Sequence, residues 1–397
     1  MFLKLTKRML AETDLRLLHK FTYNAGWKGM RAVHAFEKRL RKGQVFPPFL
    51  FLSITNNCNL SCQGCWVTPT QPPMEMSIDT INNIIVECKK RGSFLFGLLG
   101  GEPLLHPGIL TVMEKHPDCY FMLFSNGTTI TDKVAAELRK LGNVTPLISV
   151  EGTETVSDER RGGEQVYSRT LQGLEMCQKH RLITGVATSV CRSNFDDLVS
   201  DKFLNQLIKQ HVHYLWYYIY RPTGANPVPE LALSKEQILA MRRFIVDART
   251  KAPIVIVDAY WDAEGRGVCP AAMGISHHIG PSGDVEPCPP IQFARDNIGN
   301  GMSTYDIVSK SELLAEFRAL AHRKIRGCIL LEDPHRLLDL MMKQDARDTS
   351  GRGTGYEELQ RMIKQASHDL PGEEIPEKSW MYRFAKKHWF FGFGAYG

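Results

Sequence analysis

Cys58-Asn59-Leu60-Ser61-Cys62-Gln63-Gly64-Cys65 sets three cysteines in one short stretch, with three and then two residues between them. Thiolates this close can grip a metal from a single loop. A four-iron iron–sulfur cube held by three cysteines keeps one iron without a protein ligand, open to a small chelating molecule. Zinc competes for such a set, but structural zinc sites usually match one cysteine pair with a second. No second C-x-x-C occurs here. A disulfide would leave one cysteine of the loop unpaired, and redox cysteines stay open as a third reading.

Outward from the triplet the chain alternates strand and helix. Strand-like runs lie at 49–54, 94–99, 120–124, 144–150, 183–190 and 214–220, with helical stretches near 77–91, 108–116, 131–141, 164–180 and 195–210. This alternation predicts parallel strands joined by right-handed crossovers. Six β/α units are too few to close an eight-stranded barrel. The expected fold is α/β, a partial (β/α)6 barrel with a small C-terminal cysteine-containing α+β auxiliary domain. The expected boundaries are 1–47 for a basic amphipathic helical extension and 48–225 for the barrel. The auxiliary domain takes 226–340, and a polar linker with an aromatic-rich tail takes 341–397. The Gly-rich run 349–355 reads as a mobile loop.

The C-x3-C-x2-C spacing after a strand resembles the signature of the radical S-adenosylmethionine (SAM) superfamily. Gly64 before the third cysteine is similar to the hopanoid-modifying branch. Gly100-Gly101-Glu102-Pro103 resembles the family's second motif, where backbone carbonyls and the acid receive the methionine amino group of SAM. The resemblance implies that Ser125 and Asn126, ending the third strand, line the same pocket. Ser149 and Glu151, two apart and so on one face, would take the ribose hydroxyls. Of Arg160 and Arg161, Arg161 beside the glycines is the choice to pair with the SAM carboxylate, which suits the bidentate guanidinium. Cys58, Cys62 and Cys65 would hold a [4Fe-4S] cluster bound with SAM. The implied chemistry is one-electron cleavage of SAM to methionine and a 5′-deoxyadenosyl radical, fed by a low-potential donor of flavodoxin or ferredoxin type.

Cys269 and Cys288, in and before a hairpin turning at Ser282-Gly283, resemble the opening of a SPASM/Twitch auxiliary-cluster domain, with Cys328 as a third ligand. A full SPASM cysteine run is missing, so one further [4Fe-4S] cluster is expected, its fourth position filled by Asp333, His335 or substrate. A zinc site or plain buried thiols remain open. His277 and His278 read as solvent-facing turn residues. Cys88, Cys119, Cys177 and Cys191 read as core thiols.

The chain has 397 residues and 43% hydrophobic content, ordinary for a globular protein, and no apolar run long enough to span a membrane. The N-terminus lacks a secretory pattern. Ten cysteines without one argue for a reducing, cytoplasmic setting. Residues 1–44 carry eleven Lys and Arg against three acids, so the basicity belongs to one end and no nucleic-acid surface follows. Two amphipathic helices there pack on the main domain or lie peripherally on a membrane. The sixth strand is aromatic (Trp216-Tyr217-Tyr218-Ile219-Tyr220). The aromatic tail, running past Trp389 to Phe393, is a lid or an interfacial anchor. These features lean toward a small apolar or lipid-like substrate. A ribosomal-peptide maturase is the alternative, and a non-catalytic iron–sulfur carrier or sensor is the reading from another class.

Overall fold

The computed structural model describes residues 2–258 and 260–389. Strands β1 (Phe49–Thr55), β2 (Leu95–Gly100), β3 (Tyr120–Ser125), β4 (Val144–Ser149), β5 (Gly185–Val190) and β6 (Tyr214–Ile219) lie side by side, all parallel. Helices return the chain between them, and Ser77, Thr131 and Ser200 cap three of these by accepting a backbone N–H. The α/β partial barrel read from the sequence is the observed core.

The sheet continues past six strands at both edges. Strand β7 (Val255–Asp258) adds parallel to β6, and β8 (Ser276–Ile279) adds parallel to β1. Next comes β9 (Asp284–Glu286). After it, β10 (Phe293–Ala294) precedes β11 (Asp296–Asn297), and β12 (Arg347–Asp348) comes last. β9 and β11 extend the sheet antiparallel from β8, giving ten strands in all, while β10 and β12 form a separate ribbon. The edges of a six-stranded open sheet expose unpaired backbone groups. Segments after residue 226 cover both. The sequence hid this because β7 is only four residues and β8 reads Ser-His-His-Ile, without an apolar alternation.

Residues 2–40 form three α-helices, Phe2–Glu12, Leu15–Lys20 and Lys28–Leu40, with a π-helical stretch Phe21–Trp27 between the last two. Two helices were expected. The additional break falls at Asp14, whose side chain accepts the Arg16 N–H and restarts the helix. This segment runs beneath the barrel and spends its cations on main-chain carbonyls. Arg8 donates to Pro253 O at 2.7 Å and to Ile208 O and Val212 O at 3.1 Å. Lys20 reaches Leu141 O, Lys28 reaches Asp118 O and Arg39 reaches Arg91 O, each at 2.7 Å. These acceptors lie at or just past the C-terminal ends of barrel helices, where carbonyls lack partners and the helix dipole is negative. The basic end of the chain therefore complements the barrel's own helix termini.

The C-terminal segment is anchored by a buried ion network. Arg249 Nη1 sits 2.8 Å from Asp258 Oδ2 and 2.6 Å from Glu377 Oε2. Arg242 Nη1 lies 3.0 Å from the same Asp258 oxygen, and Lys386 Nζ lies 3.0 Å from Asp258 Oδ1. Burial works against the Asp258 charge, yet three cations hold its carboxyl far below the usual range. Such a site loses little when intact and much when one partner goes. Asp258→Asn should destabilise the fold by about 3–5 kcal/mol in urea unfolding at neutral pH. Because the folded pKa is depressed, this contribution is present above pH ~4 and fades as pH falls further, so the parent and the variant should converge in acid.

Candidate active site

The cysteine loop leaves β1 at Thr55 and is clamped by backbone contacts that leave no room for a side chain. A Cβ on Gly101 would stand 2.0 Å from Asn57 O, one on Gly162 2.1 Å from Ser61 O, and one on Gly224 2.0 Å from Cys65 O. These three glycines come from the ends of β2, the helix Glu154–Arg161 and the segment after β6. Hydrogen bonds complete the clamp: Gly101 N donates to Thr55 O and Glu102 N to Asn57 O, both at 2.8 Å, and Gln63 N to Arg160 O at 2.9 Å. Cys58, Cys62 and Cys65 are thereby held on one loop as electrostatic neighbours. Burial raises the Cys58 thiol and pushes Cys65 up to about 12, with the nearby Cys62 adding to both shifts.

Glu102 is fully buried and takes three donors: Asn126 N at 2.7 Å, Ser125 Oγ at 3.0 Å and Leu104 N at 3.2 Å. Burial still pushes its carboxyl above the usual range. Asn126 Nδ2 reaches back to Asn59 Oδ1 at 2.8 Å, joining the end of β3 to the cysteine loop. Gly100 and Pro103 flank this turn, which starts a short 3-10 helix capped by Glu102 itself. Arg161 is buried, with Nη2 on Ser149 O at 3.1 Å and Nη1 3.6 Å from Cys62 Sγ. Arg160 approaches Glu151 at 4.0 Å and lies over the Tyr220 ring at 4.9 Å. Glu151 Oε2 accepts Ser189 N at 3.1 Å. Arg160 Nε and Nη1 and Arg161 Nε are buried without a hydrogen-bond partner. Buried guanidinium donors without acceptors are costly, and an anionic ligand beside the cysteine loop would satisfy them. Glu102, Ser125 and Asn126 thus form one hydrogen-bonded group, Arg161 is held on Ser149 O, and Arg160 pairs with Glu151.

Cys269, Cys288 and Cys328 also gather as neighbours. Burial raises Cys269 to about 12, and Cys328 adds to it; burial also raises Cys288 well above the usual thiol range, with Cys269 and Cys328 adding. Arg221 Nε donates to Cys328 Sγ at 2.9 Å. Neither side chain proposed as the fourth ligand joins them. Asp333 caps the helix Pro334–Lys343 through Arg336 N, and exposed His335 is turned to Gln360 O at 3.2 Å. Among the described residues no three His, Cys, Asp or Glu side chains close on a single ion. A cluster takes each thiolate on a different iron and makes no such demand. Cys88, Cys119, Cys177 and Cys191 are fully buried core thiols.

His277 and His278 were expected in a solvent-facing turn, but both are buried in β8. His278 Nε2 lies 2.7 Å from Ser53 Oγ, and Nδ1 lies 2.5 Å from Glu286 Oε2, whose other oxygen accepts Thr349 Oγ1 at 2.5 Å. The Trp66 ring meets His278 edge-on at 5.7 Å. Pairing of β8 with β1 is what buries them, and no local pattern announces that pairing. The Gly-rich run expected to be mobile is tied over the cysteine loop: Arg352 Nη1 donates to Trp66 O at 3.3 Å and Thr68 Oγ1 at 3.2 Å, while its Nε reaches Glu358 at 2.7 Å. Inside the barrel, Phe51, Phe124, Trp216 and Tyr218 form a chain of ring contacts at 5.9, 6.1 and 5.4 Å. The tail residues beyond Trp389 lie outside the described residues.

Residues 52–199 match the radical SAM superfamily model. The AdoMet-dependent heme synthase of Methanosarcina barkeri is 26% identical over 183 residues, 45% of this chain and 52% of that protein. The sporulation killing factor maturation protein SkfB of Bacillus subtilis is 30% identical over 153 residues, 38% of this chain and 37% of that one. The chain thus spans about half of the first relative and little more than a third of the second. The structure of Streptococcus suis SuiB bound to precursor peptide SuiA aligns with a TM-score of 0.61 at 14% identity, covering 74% of each chain, which shows a shared fold. Residues 52–199, which contain the cysteine loop and the Gly100–Pro103 turn, are thus similar to the radical SAM superfamily. Relatives of this chain are named as synthases, maturases and a cyclase, which are enzymes rather than electron carriers.

Removing His278 would strand Glu286 in a buried site. His278→Ala should lower stability by about 3 kcal/mol in urea unfolding. The loss should be smaller in the double variant His278→Ala/Glu286→Leu, which removes the stranded charge as well.

Proposed function

We propose that this chain cleaves SAM reductively and uses the resulting radical on an unactivated carbon of a small, apolar or lipid-like substrate. The single observation that supports it best is the set of buried, unpartnered guanidinium nitrogens of Arg160 and Arg161 beside the cysteine loop. A [4Fe-4S] cluster on Cys58, Cys62 and Cys65, with SAM chelated to it and one electron from a flavodoxin or ferredoxin, would supply the sulfonium cleavage and the 5′-deoxyadenosyl radical. Glu102 and the carbonyls of Gly100 and Gly101 would receive the SAM ammonium, since a carboxylate buried with three donors is fixed in place and opposite in charge. Arg161 would pair with the SAM carboxylate. Ser149 and Glu151 would take the ribose hydroxyls, with Asn126 and Ser125 holding the pocket wall.

The aromatic interior from Phe51 to Tyr218 favours an apolar substrate surface, and it excludes water from a reactive radical. Exposed Phe2, Leu3, Trp27 and Trp380 offer apolar surface for peripheral contact with lipid. No helix among the described residues is long and apolar enough to cross a membrane. The second reading, a ribosomal-peptide maturase, is favoured by the names of SkfB and of the SuiB complex. Cys269, Cys288 and Cys328 would hold one auxiliary [4Fe-4S] cluster in either case.

Reconstituted protein with SAM and dithionite should release 5′-deoxyadenosine. Glu102→Gln should weaken SAM binding by about tenfold to a hundredfold, the loss of one charge-assisted contact set. Isoprenoid-containing liposomes should raise the yield if the apolar reading holds. A rise with a precursor peptide alone would move the assignment to the maturase, and no 5′-deoxyadenosine under any condition would defeat both.

A further inference from the structure

Tyr220 and Arg221 follow β6 and together touch both cysteine sets. A Cβ on Gly64 would lie 2.1 Å from the Tyr220 hydroxyl, so this tyrosine packs directly on the loop between Cys62 and Cys65. The next residue turns the other way. Arg221 Nε donates to Cys328 Sγ at 2.9 Å, Nη1 donates to Ile219 O at 3.3 Å, and the guanidinium lies over the Tyr260 ring at 5.1 Å.

Among the described residues Arg221 forms no ion pair with a carboxylate, although it is partly buried beside buried Tyr260. Three buried arginines are met by carboxylates, Arg242 and Arg249 by Asp258 and Glu377 and Arg160 by Glu151, whereas Arg161, like Arg221, faces a cysteine. An uncompensated cation in such a place is costly. The groups that face Arg221 electrostatically are Cys328, Tyr260 and Cys288. Neutral thiols would leave the charge unanswered. Thiolates bound to iron would answer it.

We propose that Arg221 is the counter-charge of the auxiliary cluster, a positioning residue that raises its potential through Cys328, while Tyr220 fixes the same backbone to the cysteine loop of the SAM site. The proposal rests on the auxiliary-cluster reading above. A cation donating a hydrogen bond to a ligating sulfur stabilises the more negative, reduced cluster, so its removal must lower the potential. The lysine variant keeps charge but loses the planar donor, and should fall between.

The test is an EPR-monitored redox titration of the anaerobically reconstituted full chain, with iron counted in the same samples. The two signals are assigned by comparison with the Cys58→Ala/Cys62→Ala/Cys65→Ala variant. Arg221→Met should retain the irons and shift the auxiliary midpoint to lower potential, leaving the SAM-site midpoint in place, with Arg221→Lys intermediate. Loss of the auxiliary irons in Arg221→Met but not in Arg221→Lys would also support the counter-charge. An unchanged auxiliary midpoint in both variants would overturn the proposal, as would loss of the auxiliary irons from both. A parent with a single cluster fails earlier and differently, because it removes the auxiliary-cluster reading itself.

Discussion

The cysteine loop is held by backbone pressed against backbone. Gly101, Gly162 and Gly224 approach its carbonyls so closely that any Cβ would collide, and each arrives from a different barrel element. This contact fixes three thiols in a loop that has no regular structure of its own. It also brings Glu102, Arg161 and Tyr220 to the loop, since each lies within a few residues of a clamping glycine or packs on Gly64. A side chain at any of the three positions would push one wall of the site away from the others.

Charge is distributed around that centre by a consistent rule, that cations go where the fold leaves negative groups unpaired. The basic N-terminal segment binds carbonyls at the ends of barrel helices. Arg242, Arg249 and Lys386 surround Asp258 and Glu377, and so fasten the last described helix to β7. Arg161 and Arg221 each point a guanidinium at a cysteine, one in each set. Only these last two point toward chemistry, since their anionic partners are not carboxylates or carbonyl groups alone.

The parallel core was legible because β1 to β6 are apolar runs separated by helices of ordinary length, and short-range periodicity reports that well. The first cysteine set and Gly100 to Pro103 were legible as motifs because their residues are contiguous. What could not be read were the long-range pairings. β8 joins β1 across more than two hundred residues, and that pairing turns His278 from a turn residue into a buried link to Ser53. Arg352 likewise converts a Gly-rich run into a strap across Trp66 and Thr68. Asp333 and His335 were chosen for their nearness in sequence to Cys328, but a helix starting at Pro334 turns them elsewhere.

The most direct measurement is iron per chain after anaerobic reconstitution, in the parent and in Cys58→Ala/Cys62→Ala/Cys65→Ala. Two four-iron clusters predict about eight irons falling to about four. About four falling to none would leave the second cysteine set structural. Zinc in place of iron in the parent would contradict the account at its centre.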